Sequence, residues 1–261
     1  MTTPWLDQFP IVVVFAMFAI VSLICFELGF RIGRWWQARM PGEQEGPTDM
    51  LVGSLLALMA FVLAITMGMA ADRFDTRRGM VLDEANAIGT SFQRADYLPE
   101  PAATEVKELL RQYLPLRIAG DDRAKVLADI ERSLVIQEQL RAITSEVAQT
   151  GPRDDLVSSF GESVNDIITL HESRVVAGLY ARVPPTIMVL LFAGSALALA
   201  MVGYSGGLLG RRSILSAVVM IVALGVVTTL VVDLDRPQDG FLRVSQQPFL
   251  DVQRWIGEPG S

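Results

Sequence analysis

Four stretches of this chain are each about 20 residues long and nearly free of charge, the length an α-helix needs to cross the hydrocarbon core of a bilayer: Ile11–Phe30, Leu51–Ala71, Thr186–Tyr204 and Ile214–Val232. Lipid offers nothing to satisfy backbone N–H and C=O groups, so a span must satisfy them internally, and apolar runs of this length do so as helices. The composition agrees, since 51% of the 261 residues are hydrophobic. The expectation is an all-α membrane protein with four transmembrane helices in two hairpins and a helical soluble domain inserted between spans two and three. The first run lacks a basic leader, and Glu27-Leu28-Gly29 stands where a cleavage site would require small residues, so it reads as a retained span.

The connections set the organisation. Pro41, Gly42, Gly46 and Pro47 make a short turn after span one, and Ser205-Gly206-Gly207 through Arg211-Arg212 makes another after span three. Span two has no such break. Asp72-Arg73-Phe74-Asp75-Thr76-Arg77-Arg78 runs on into Leu82, Ala85, Ile88 and Phe92 at helical spacing, which predicts one long helix leaving the membrane. Pro99 and Pro101 stop it, and three further helices follow: about 102–118, from Asp121 or Asp122 to Gly151-Pro152, and about 154–182. The domains are then 1–71, a first transmembrane hairpin; 72–183, the helical soluble domain; 184–232, a second hairpin; and 233–261, a polar tail that packs on the soluble domain. Pairing of the spans puts the N-terminus, the soluble domain and the C-terminus on one side. Arg31, Arg34, Arg39, Arg211 and Arg212 favour the turns in the cytoplasm, Arg73, Arg77 and Arg78 oppose this, and the side stays open.

Several function classes recede on composition. A formal charge of −7 without a basic stripe argues against nucleic acid. The single cysteine, Cys25, permits no disulfide within the chain and reads as a packing residue. His171, the one histidine, has Glu172 beside it and no second soft ligand, so it reads as a partly exposed helix residue. Asp233, Asp235 and Asp239 offer oxygen ligands, yet the alternating acids, central glycine and closing Glu of a calcium loop are missing. No nucleophile elbow, phosphate-cradling loop or His-Glu-x-x-His helix occurs, which disfavours an enzyme, and no cofactor is implied. Glu27 lies four residues before Arg31, a spacing that permits an ion pair near the interface. Asp72, Arg73, Asp75, Arg77 and Arg78, followed by Asp83 and Glu84, form a mixed-charge collar at the base of the long helix. Such a collar either selects ions by charge around a pore or is a solvated helix continuation with i,i+4 pairs.

Span two from Ser54 to Arg78 resembles the pore helix of bestrophins, where an apolar span ends in Arg followed by aromatics and a further Arg. Arg73-Phe74 and Arg77 or Arg78 match, and Asp75 replaces the second aromatic. Asp233-Leu234-Asp235-Arg236-Pro237-Gln238-Asp239-Gly240 is similar to the acidic stretch after the last bestrophin span, and with Glu84-Ala85-Asn86-Ala87 it resembles the bacterial bestrophin-like domain proteins. The resemblance implies a pentameric ion channel whose second spans surround the axis, with a neck at Ala57, Phe61 and Ile65. Those positions share one helical face by their i, i+4, i+8 spacing, and an apolar constriction gates by dewetting. The expected partners are the lipid bilayer, inorganic ions and further copies of the chain, in a bacterial inner membrane. The alternative is a non-conducting, membrane-anchored interaction or sensor protein acting through its helical soluble domain. A transporter is weaker still, because broken spans and paired intramembrane charges are not evident.

Overall fold

The computed structural model describes residues 9–40, 45–118, 120, 122–150, 155–179, 181–236 and 240–257, and every regular element among them is helical. The helices are α1 (Ile11–Arg39), α2 (Glu45–Arg94), α3 (Ala102–Arg117), α4 (Arg123–Thr150), α5 (Asp155–Leu179), α6 (Pro185–Leu208), α7 (Ile214–Asp235) and α8 (Gln247–Gly257). The four long enough and apolar enough to cross a membrane are α1, α2, α6 and α7. Pro99 and Pro101 follow the end of α2, while Pro115 is accommodated in the last turn of α3. Two compact units result: Met1–Arg73 with Arg182–Leu242, and Phe74–Ala181 with Arg243–Ser261.

In the first, membrane unit, α1 and α6 meet backbone to backbone. A Cβ at Gly29 would lie 1.9 Å from the carbonyl oxygen of Ala200, and one at Gly33 would lie 2.2 Å from that of Tyr204. From the other side, a Cβ at Gly203 would lie 2.1 Å from the Phe26 oxygen and one at Gly207 2.3 Å from that of Phe30. Each helix thus supplies two glycines four residues apart. Helices in lipid gain no hydrophobic free energy by meeting, so small residues that allow close dispersion contact take that role. Phe18 adds an edge contact to Phe192, with ring centroids 6.0 Å apart. Phe15 and Phe18 also fill the space over Gly225 of α7. The membrane part of α2 joins through Met59, seated against Gly194, and through Ser205 Oγ, which donates to Asp49 Oδ1 at 2.6 Å.

The second unit is built around one apolar core. Ile88 of α2, Leu110, Tyr113 and Leu114 of α3, Leu140 of α4, Phe160 and Ile167 of α5 and Phe249 of α8 are fully buried. The polar composition of the tail does not announce α8; its signal is the spacing of Phe249, Val252 and Ile256, of which the first and last are buried. Trp255 meets Phe92 edge-on at 5.8 Å.

Candidate functional site

Ala57, Phe61 and Ile65 all lie on the outward face of α2, with Phe61 62% and Ile65 48% exposed. The inward face of the same turns carries Met59, Leu63, Thr66 and Ala70, all buried. Around these side chains the outward face mixes sizes: Ala60, Ala64 and Gly68 are exposed, and so is Leu58 at 53%. The other spans present a different surface. On α1 the exposed residues include Val12, Ile20, Leu23 and Ile24, and on α7 Leu215, Val218, Val219 and Val222. Bulky aliphatic faces suit acyl chains, whereas small residues suit the backbone of another helix.

The charges that follow do not share one face. Asp72, Asp75 and Arg78 are exposed and Arg73 is half-buried, but Arg77 is only 7% exposed. Glu84 departs further from the collar reading, because it is wholly buried in the helical unit. Its carboxylate accepts from Arg117 Nε at 2.6 Å and from Arg174 Nη1 at 2.8 Å. Arg174 is also fixed by Nη2, which donates to the Arg117 carbonyl and to Gln246 Oε1, each at 3.0 Å. A buried ion pair is tolerable only where further hydrogen bonds complete both partners, and these do so from α2, α3, α5 and the segment before α8.

His171 corrects the sequence reading most directly: it is 2% exposed, not partly exposed. Its Nδ1 lies 3.2 Å from the Tyr113 hydroxyl, whose oxygen accepts from Gln137 Nε2 at 3.0 Å and lies 3.4 Å from Glu84 Oε1. Burial lowers the imidazole pKa to about 4, with the Arg117 guanidinium adding to the effect. Burial likewise pushes the Tyr113 phenol up. His171 is therefore a neutral hydrogen-bonding partner at pH 7. Sequence spacing gives no warning of this cluster, because Glu84 pairs with residues 33 and 90 positions away.

The remaining candidates have structural partners. Glu27 accepts from Arg31 Nε at 2.8 Å and also pairs with Arg212. Asp233 accepts the backbone N–H of Phe241 and of Leu242, each at 3.0 Å, and Asp235 accepts that of Val183 at 2.8 Å. Asp239 lies outside the described residues. Among the described residues no group of three His, Cys, Asp or Glu side chains could hold a metal ion.

The family model of the Bestrophin-like domain matches residues 16–249. No curated protein matches the chain in sequence. Two structures of a bacterial bestrophin homologue from Klebsiella pneumoniae, one of them a point variant, are each 13% identical and superpose with a TM-score of 0.66, covering 94% of this chain and 97% of theirs. A further variant of that protein is 12% identical, with a TM-score of 0.61 over 95% of this chain and 99% of its own. At such identity the likeness is one of fold.

Proposed function

The chain belongs to the Bestrophin-like family, and from that premise we propose that it is a passive ion channel, a homo-oligomer in which α2 of each copy faces a common axis. Ala57, Phe61 and Ile65 form the apolar neck, and Asp72, Arg73, Asp75, Arg77 and Arg78 surround the mouth, with Asp72, Asp75 and Arg78 exposed there. Five copies and a bacterial inner membrane are what the family resemblance implies. The observation that carries the reading is the contrast between outward faces: α2 presents Ala57, Ala60, Ala64 and Gly68 among Leu58, Phe61 and Ile65, where α1 and α7 present mainly bulky aliphatics. A face of small residues leaves apolar area unmatched in lipid and is well matched by a second helix. Phe61 and Ile65 rise above that surface at one helical turn's spacing, so copies arranged around an axis place two rings of bulky side chains in the pathway.

The test is ion flux from liposomes containing the purified protein, with wild type compared with Phe61→Ala and Ile65→Ala. A conducting wild type, with flux raised about tenfold by either truncation, supports both channel and neck. Silence in all three folded proteins overturns the channel and leaves the anchored interaction protein.

A further inference from the structure

The cluster around Glu84 holds unequal charge: one carboxylate faces two guanidinium groups, and a neutral imidazole is sealed in with them. The polar groups clustered around His171 come from α2, α3, α4 and its own helix, α5. Glu84 comes from α2, Tyr113 and Arg117 from α3, Gln137 from α4 and Arg174 from its own helix, while Glu172 beside it is exposed. The Tyr113 hydroxyl sits between the imidazole and the carboxylate, with Gln137 donating to it.

We propose that His171 is an acid-operated lock on the helical unit: taking up a proton makes it a third cation beside a single carboxylate, and the α2 extension is released from α3 and α5. The hydrogen bonds permit the first step. A proton from solvent on Nδ1 turns that atom into a donor to the Tyr113 oxygen, and the Tyr113 O–H turns to Glu84 Oε1, the remaining acceptor within reach. The contact between Nδ1 and the Tyr113 oxygen is kept with its direction reversed. The electrostatics then oppose it, because a buried cation without its own counter-ion is costly. At this site α2, α3, α4, α5 and the segment before α8 all contribute a polar group to a buried network, so its opening loosens several helices together.

The sign follows from linkage. With the folded imidazole lowered from 6.5 to about 4, the open state binds more protons between those values. The closed state therefore weakens as pH falls through that window.

The proposal is tested by amide hydrogen exchange on the full-length protein in liposomes, corrected for intrinsic rates, following 81–92 and 110–117. Wild type is expected to exchange about tenfold faster or more at pH near 4 than near 6.5, and His171→Gln to keep its protection across that range. His171 is the sole histidine, so its imidazole resonance in the unmodified protein gives a second readout, and its titration midpoint should coincide with the loss of protection. Unchanged protection in wild type, equal opening in His171→Gln, or an imidazole that titrates without any change in exchange would each overturn the lock.

Discussion

On the seam between α1 and α6, Gly29, Gly33, Gly203 and Gly207 bring two backbones into contact; on the outward face of α2, Ala57, Ala60, Ala64 and Gly68 make a surface of the same kind that remains exposed. The two differ in what stands among the small residues. The seam is smooth enough that a single Cβ would collide with a carbonyl, whereas the α2 face carries Phe61 and Ile65. A smooth surface permits continuous contact with one partner. A surface of small residues interrupted by Leu58, Phe61 and Ile65 fits contact at its flanks and leaves large groups facing something other than a helix. That difference is why the α2 face is read as both a contact between copies and the wall of a pathway.

The most damaging way to probe the comparison is at the seam. Gly203→Leu forces side-chain atoms into the space of the Phe26 carbonyl and is expected to cost about 4 kcal/mol or more, read as a lowered thermal midpoint in detergent. A variant that melts with wild type would remove the seam as the model for what small residues do here. Glu84→Gln asks whether α2 is held by a different force in the helical unit. It leaves Arg117 and Arg174 without their carboxylate, and removing one partner of a buried pair typically costs about 3–5 kcal/mol. The loss should appear in exchange at 81–92, with the membrane helices still protected.

The comparison also shows where the sequence was readable. The spans were legible because bilayer thickness imposes a length and a hydropathy that need no knowledge of partners, and the absence of a breaker after Ala71 made the continuation of α2 to Arg94 legible too. Glu84 and His171 were not. An acidic residue in a run with Asp83 looks like solvated surface, and only the approach of Arg117 and Arg174 from distant helices makes burial possible. The seam lay between these cases. Gly29 and Gly33 show the four-residue spacing in sequence, but their partners at Gly203 and Gly207 are fixed by tertiary packing. Exposure of the α2 face is likewise a property of the fold, because its inward side, with Met59 and Leu63, is just as apolar.

A smaller effect separates the two outward faces. Ala60→Leu, at the flank of the α2 face, is expected to weaken association between copies by about 1–3 kcal/mol, since added methylenes spoil a close fit, while Val222→Leu on α7 merely exchanges one lipid-facing aliphatic for another. Light scattering of the detergent-solubilised protein across a dilution series would detect the shift. Equal association in the two variants would place the α2 face in lipid.

Whether this face lines an ion pathway is decided by placing single cysteines at the two faces in a Cys25→Ala background. Ala64→Cys and Val222→Cys would be reconstituted in liposomes, and ion flux measured before and after a charged, water-soluble thiol reagent. Flux is expected to fall in Ala64→Cys and to stay unchanged in Val222→Cys. Modification that leaves Ala64→Cys conducting as before, or that blocks Val222→Cys instead, would contradict a pathway along this face.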